Sequence, residues 1–569
     1  MRPPSSFLKQ TLIVVALIAA LAWPSFAAEG EPSPAEISNL KALLSQQQQQ
    51  IDELRKTLED QRRLLEKLGG SSDAGTAGLS APSAAPAPTA KKGLGEVAAT
   101  TAFAPPIPDP VPKADPLPVV PTPAPQTREA TPEPSPLQFH IGDASITPVG
   151  FMDITNTWRS TNAGTSLQTN FGSFPYNNTL QGRLTEDKWS AENSRLGLRV
   201  DAKVKGANVL GYFEGDFVGG ATANNTQVSS DSMLFRIRQY YVDVRKGFWE
   251  VLAGQAWSLL LPNRNGMSPL PADLFYTQVV DVNYTNGLFW GRIPGIRFIG
   301  HPNNKVAFGV ALENSSQYFG GSGGGGIPVL PAAFASNPAY NAQLDNSVTN
   351  DRGVANVHPD IIGKFVFEPS SRLHLEVGGV ESTVRLFNPI TQQYFTKAGA
   401  GVTFTVNAAL TKNLRVISAN FWNDGTGRYI FGAAPNFIVR PDGSPSPIHS
   451  ASTVSGFEAT IKNLQPYIYY GGVYIDRNTA HDLDGSLIGY GFPGSTNAHN
   501  RSIQEITGGY TQTLWRDGKY GALQYMVQYA YFVRNPWSVA PNTPKNAHET
   551  AIWFNLRYVL PGTAPTIRY

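Results

Sequence analysis

The chain has 569 residues, a formal net charge of +2, 15% charged residues, 11% aromatics, 54 glycines and no cysteine. The absence of cysteine excludes disulfides and thiolate metal sites, and near-neutrality excludes an electrostatic nucleic-acid binder. Charge this far below the usual 25% or so, with many aromatics and no long apolar run after residue 27, is the composition of a barrel whose strands are apolar on one side only.

Residues 1–27 read as a secretory signal peptide. Arg2 and Lys9 form the basic start, Leu12 to Trp23 the apolar run, and Ser25-Phe26-Ala27 the small-residue cleavage site. The alternative, a membrane anchor, needs about 20 apolar residues, and the run is shorter. An exported chain ending in a barrel is expected in the outer membrane of a Gram-negative-type envelope, with the segment before the barrel in the periplasm.

Residues 33–70 predict a coiled coil. Ile37, Leu40, Leu44, Gln47, Ile51, Leu54, Leu58, Gln61, Leu65 and Leu68 keep a 3,4 spacing over five heptads, and Gly69-Gly70 stops the helix. Polar core residues such as Gln47 and Gln61 fix register and oligomer number at a cost in stability. The alternative is a single amphipathic helix docked on another domain. Residues 71–138 predict a disordered Pro/Ala-rich linker, with sixteen prolines between Pro82 and Pro136. Fifty residues of polyproline II at about 3.1 Å each would reach roughly 150 Å, the length of a periplasmic spacer.

From 139 to 569 the sequence alternates with period 2. Leu196, Leu198, Val200, Ala202 and Val204 oppose Arg195, Arg199, Asp201, Lys203 and Lys205. Val209, Gly211 and Phe213 oppose Tyr212, Glu214 and Asp216. Similar rows run through 306–313, 402–407 and 523–531; Tyr467, Tyr469, Gly471, Val473 and Ile475 form another apolar row. The last strand offers Ile552, Phe554, Leu556 and Tyr558 opposite Trp553, Asn555 and Arg557. The segment 234–245 loses phase, and a bulge near Gln239–Tyr241 would restore it. Trp158, Trp189, Trp249, Trp257, Trp290, Trp422, Trp515 and Trp537 sit near strand ends, as interfacial girdles do. Short turns such as Asp517-Gly518-Lys519 alternate with long Gly/Asn/Pro-rich loops. Roughly 430 residues at about 25–28 per strand and loop give 16 or 18 antiparallel strands, wide enough for an aqueous channel. The expected fold is therefore an all-β transmembrane barrel, preceded by the coiled coil and linker. Tyr569 could be the terminal aromatic read in assembly, but Pro561 and Pro565 argue against a strand there.

The residues that could set a field inside such a barrel are Arg195, Arg199, Lys203, Arg236 and Arg238 on consecutive strands. Residues 262–286 are too long and too proline-rich for a turn. They predict a loop folded into the barrel, bringing Arg264, Asp273 and Asp281 opposite that ladder. Two alternatives stay open: the arginines are structural ion pairs with Asp201, Glu214 and Asp216, or the loop is an external flap. No nucleophile motif, phosphate loop or metal-ligand spacing occurs, so no enzymatic activity, cofactor or metal is expected.

Several segments resemble DcaP-like trimeric outer-membrane porins. Residues 233–261, MLFRIRQYYVDVRKGFWEVLAGQAWSLLL, resemble their arginine, Tyr-Val-Asp and Leu-x-x-Gly-Gln-x-Trp motif. Gly287 to Phe298, GLFWGRIPGIRF, resembles the segment after their inward loop, and Gly150-Phe151-Met152-Asp153 with Ser194-Arg195-Leu196-Gly197 is also similar. The resemblance implies a homotrimer of sixteen-stranded barrels in outer-membrane lipid, passing small anions such as dicarboxylates, with Arg292 and Arg297 joining the pore arginines. The alternative function is a structural protein that tethers the outer membrane to peptidoglycan through its N-terminal region.

Overall fold

A computed structural model describes residues 135–220, 231, 233–345 and 356–562. The expected signal peptide, coiled coil, proline-rich linker and Tyr569 lie outside these residues. Sixteen antiparallel strands form the wall. They are β1 (Ala144–Arg159), β2 (Arg195–Val204), β3 (Ala207–Asp216), β4 (Arg236–Lys246), β5 (Trp249–Trp257), β6 (Arg292–Asn303), β7 (Val306–Glu313) and β8 (Asp360–Ser370). There follow β9 (Leu373–Asn388), β10 (Gln393–Ala409), β11 (Leu414–Asp424), β12 (His449–Ala459), β13 (Leu464–Ile475), β14 (Asn500–Asp517), β15 (Gly521–Pro536) and β16 (Ala547–Val559).

Each strand pairs with the next, and β1 pairs with both β2 and β16, which closes the sheet. Two short strands bring the hydrogen-bonded sheet to 18 members without adding to the circumference. Phe139–Ile141 folds back on the start of β1. Glu186–Ser190 pairs with residues 155–159 of β1, just beyond the stretch held by β2, so it and β2 make one interrupted strand. The count is therefore 16, not 18.

Side chains alternate as the sequence requires. Leu196, Leu198, Val242, Phe308, Val402, Phe404, Tyr529, Ile552 and Phe554 are 41–58% exposed on the outer face. Their neighbours Asp216, Arg238, Glu376, Glu458, Glu505 and Asn555 are buried inside. A closed barrel leaves no sheet edge unpaired, and an apolar outer face with satisfied backbone is what a bilayer demands. The predicted bulge exists: the β3–β4 register slips between Glu214 and Gly215, leaving Arg238 as the extra residue. Arg236 and Arg238 thus point inward, and so do Tyr241 and Asp243, while Tyr240, Val242 and Val244 are exposed outside.

Two expectations need correction. The row Tyr467, Tyr469, Val473 and Ile475 is buried inside, while Ile468, Tyr470 and Tyr474 face outward. Of the predicted girdle, Trp189, Trp249, Trp422 and Trp515 are exposed, whereas Trp257 is buried in the lumen with Trp290 packed against it. The reason is common to both. This lumen is lined in part by apolar side chains, because loops fill it.

Connections alternate in length. β2–β3, β4–β5, β6–β7 and β8–β9 are joined by two-residue turns, with Lys205 and Gly206 both at positive φ in the first. Residues 160–194, 258–291, 425–448 and 476–499 form long connections at the other rim. In outer-membrane barrels the short turns are periplasmic. Wall height also varies. β2–β5 and β7 have 8–11 residues, whereas β9, β10, β14 and β15 have 16–18.

Candidate constriction site

The connection 258–291 enters the barrel. Leu259, Leu260, Leu261, Leu274, Phe275, Leu288 and Phe289 are at most 2% exposed. They pack with Phe171 and Phe174 of the first loop and with Tyr429, Ile430 and Ile438 of residues 425–448 in one apolar core inside the lumen.

Buried polar contacts tie the loop to the far wall. Arg264 donates to both Glu458 oxygens on β12, at 2.8 and 2.7 Å. Lys364 on β8 donates to Leu261 O and Asn263 Oδ1 and meets Glu376 at 3.2 Å, while Glu376 accepts from Asn263 N–H. His374 stands between Glu368 and Glu376, and Glu368 accepts from Gly266 N–H. Further along, Tyr469 accepts from Gln278 N–H, Gln528 from Val280 and Asp281 N–H, and Glu505 from Asn286 N–H. Gly287, at φ +87°, lies so close to the wall that a Cβ would come within 2.5 Å of Thr453 O. The loop is internal, not a flap.

Opposite the loop, strand register collects the arginines. Phe151 pairs with Arg195, Arg195 with Asp216, and Asp216 with Arg236, on one rung across β1–β4. Arg236 holds Asp216 with two bonds of 3.0 and 2.9 Å. Arg238, 1% exposed, donates to Glu214 at 2.8 Å, to Asp216 at 2.6 Å and to Tyr284 of the loop at 3.1 Å. Arg195 stands 3.9 Å from Glu214. Arg557 on β16 pairs with Asp153 at 2.9 Å. The guanidiniums of Arg195 and Arg557 both lie over the Phe151 ring, at 5.1 and 3.8 Å. Arg292 lies over both Trp257 and Trp290, at 5.1 and 5.2 Å from the two rings.

Five guanidiniums (195, 236, 238, 292, 557) thus meet three carboxylates (153, 214, 216), leaving an excess of two positive charges. Between Arg195, Arg557 and the loop segment Tyr276–Tyr284 lies a cleft of ≈ 60 Å³, much smaller than the ≈ 400 and ≈ 570 Å³ cavities at the turn end of the barrel.

The remaining candidates are dispersed. Arg199 pairs with its neighbour Asp201 at 2.7 Å and Lys203 is exposed, both lining the ≈ 570 Å³ cavity. Arg297 is buried and donates to Trp257 O, holding the root of the loop. Arg264 anchors the loop on Glu458, away from the cleft. Asp273 is half-buried, and its carbonyl accepts from Arg264 N–H. Asp281 borders the cleft, but its Oδ1 accepts from Thr169 and Asn283 N–H. The carboxylates that answer the arginine ladder therefore come from β3, and the structural ion pairs with Asp201, Glu214 and Asp216 are present. The sequence reading omitted Arg557, although it stands on the inward row of the last strand, and Phe151, the ring under both guanidiniums.

Burial pushes the Asp281 carboxyl from its ordinary 3.8 up to about 6. Its neighbours are the Thr169 and Asn283 N–H groups, with Arg159 nearby. A raised carboxyl pKa stabilises the fold below the unfolded value, and that stability is lost as pH rises through about 6. The contact between residues 160–194 and the internal loop should accordingly loosen between pH 4 and 6.5 by roughly 2–3 kcal/mol. Asp281→Asn should remove most of that pH dependence, measured as amide exchange of residues 276–290. An unchanged pH profile in the variant would refute the assignment.

No family model matches the chain and no curated protein does. Solved structures do. The outer-membrane channel DcaP of Acinetobacter baumannii aligns over 73% of this chain and 97% of its own, at 16% identity and TM-score 0.54. The fold is that of a DcaP-like porin. An anion-selective porin from Comamonas acidovorans covers 73% of this chain and 99% of its own, at 12% identity and TM-score 0.41. OmpF of Salmonella typhi in complex with daunomycin covers 74% and 100%, at 8% and 0.40. This DcaP-like barrel has sixteen strands, an internal loop at 258–291 and an apolar core inside the lumen.

Proposed function

We propose that the protein is an outer-membrane porin, a passive or weakly selective diffusion channel for small hydrophilic solutes that favours anions such as dicarboxylates. The observation that carries this reading is the cleft between the internal loop and a wall bearing an excess of guanidinium. Charges of one sign in a narrow, low-dielectric passage concentrate the opposite ion. Arg557 and Arg195 are held by stacking on Phe151 as well as by acids, so they keep donors directed at the cleft. A planar-bilayer reversal potential in a KCl gradient tests it. Anion-biased current is expected; cation bias or no conductance would overturn it.

The working unit is proposed to be a homotrimer joined through the low wall β2–β5. Strands of 9–11 residues just span a bilayer when tilted. This wall exposes Leu234, Phe235, Ile237 and Tyr240 at 46–67%, with Phe213 tilted against Phe235 at 6.3 Å and Phe217 edge-on to it at 5.5 Å. Phe235→Lys with Tyr240→Lys should shift the detergent-solubilised protein from trimer to monomer on native electrophoresis. A trimer surviving both lysines would sink this interface. The coiled coil from Ile37 to Leu68 is proposed as a three-stranded periplasmic appendage of the same symmetry.

A further inference from the structure

Residues 320–329, GGSGGGGIPV, are wedged among three other loops at the rim of the long connections. Gly172 N–H donates to Gly323 O, and Val329 and Gly489 exchange both backbone bonds at 2.9 Å. A Cβ at Gly325 would run into Gly432 O, and one at Gly326 into Ala498 O, so the close approach requires glycine. His499 closes this arrangement. It is 0% exposed, stacked on Tyr490 with ring centroids 4.4 Å apart and edge-on to Phe492 at 6.3 Å. Its Nδ1 accepts from Gly491 N–H at 3.1 Å. A backbone amide only donates, so Nδ1 carries no proton, and Nε2 donates to Ile327 O at 2.9 Å. Both ring nitrogens are therefore satisfied by the neutral imidazole alone. A proton on Nδ1 would set N–H against N–H at Gly491.

The groups packed around His499 offer an imidazolium no counter-charge. His499 enters no ion pair with a carboxylate of the described residues. Arg534 on β15 donates to Asn497 O and Asn500 Oδ1, at 3.1 and 3.3 Å. Tyr490 Oη donates to Asn500 O, and Tyr176 Oη to Asn497 O. Trp537 N–H donates to His499 O, and Arg477 and Arg501 lie over the Trp537 ring. On the side of residues 320–329 the titratable groups are Tyr318, near Tyr490, and Asp482, which accepts from Ala332 N–H. Burial pulls the His499 imidazole below its ordinary 6.5. Such a group stabilises the fold above the unfolded pKa, and that stability is lost as pH falls below 6.5.

We propose that His499 is an acid-released latch: uptake of one proton frees residues 320–329 from loop 476–499 and loosens the loop end of the lumen. The released segment is coupled to the internal loop. Gly323 abuts Phe431 O, and the Phe431 ring is stacked on Trp290 at 5.2 Å, at the C-terminal end of residues 258–291. The latch rests on these loop contacts; only its effect on current rests on the porin reading.

The test is hydrogen exchange of the Gly321, Gly325 and Val329 amides in the full-length protein in detergent, at pH 7.5 and 5.5, corrected for the intrinsic rate. These amides donate to Gly325 O, Ser322 O and Gly489 O. Opening in the wild type should rise about tenfold at pH 5.5, as expected for a released imidazole of pKa about 6.5. His499→Gln and His499→Phe cannot take up the proton, and both should remove the pH step whatever their own baseline. The Asp281 contact responds in the opposite direction and is read at residues 276–290, so the two effects separate. A wild type without the step, or a step retained in either variant, would overturn the latch. In bilayers the wild type should pass more current at pH 5.5 than at 7.5. An exchange step with no current at either pH would keep the latch and remove the porin reading.

Discussion

Arg195→Gln combined with Arg557→Gln should abolish anion preference while leaving the barrel closed. Both residues border the cleft and both guanidiniums lie on the Phe151 ring. Removing them cancels the local excess of two positive charges, because Arg236, Arg238 and Arg292 then stand against Asp153, Glu214 and Asp216. Glutamine keeps a hydrogen-bond donor for Asp153, which also accepts from Asn193 at 3.0 Å, so the carboxylate is not stranded. The reversal potential in a tenfold KCl gradient should move to zero or to the cation side. The same change at Arg238 would be a poor probe. Arg238 is buried between Glu214 and Asp216, and losing one partner of a buried ion pair costs about 3–5 kcal/mol. An intact barrel in which the Arg195/Arg557 variant keeps full anion bias would show that another plane sets selectivity.

Arg264→Ala should release the internal loop. Glu458 is fully buried and held by two guanidinium bonds and by Tyr469 Oη at 2.6 Å. Without Arg264 it loses both guanidinium bonds and keeps only Tyr469 and the field of Arg415 across the strand register, a penalty bounded by the roughly 3–5 kcal/mol of a broken buried pair. The loop has other anchors at Lys364, Gln528 and Glu505, so the barrel wall should stay closed and the cost should fall on the loop. The expected result is a larger, noisier single-channel conductance with unchanged heat-resistance of the barrel on electrophoresis. Arg264→Ala with Glu458→Gln should recover part of the quiet behaviour, because the under-compensated buried charge is gone. Wild-type conductance in the single variant would mean that the loop does not bound the passage.

Much of this was readable in the chain. Period 2 gave the faces of β2, β3, β15 and β16, and the phase slip at 234–245 called for a bulge that lies at Arg238. The proline-rich stretch 262–286 lies in the internal loop. The misplaced residues share a cause. Tyr467, Tyr469, Val473, Trp257 and Trp290 are apolar, and alternation assigns apolar residues to lipid. In this barrel the loops bring a second apolar surface into the lumen, so polarity alone does not tell inside from outside. Partner choice was equally hidden. Arg264 meets Glu458 across 194 positions, and Arg557 meets Asp153 across 404. Spacing carries no trace of such pairs; only strand register and loop path create them.

Those separations also order the assembly of the molecule. The internal loop ends at residue 291, yet its anchors sit on β8, β9, β12, β13, β14 and β15. Long-range contacts of this kind form late, after the chain entropy of closing large loops has been overcome. The lumen core cannot set until the last strands arrive, and β16 must then seal against β1. A barrel caught before that seal would have its plug segment loose and its buried leucines and phenylalanines exposed to water, which makes the C-terminal quarter of the chain the part that turns an open sheet into a closed gate.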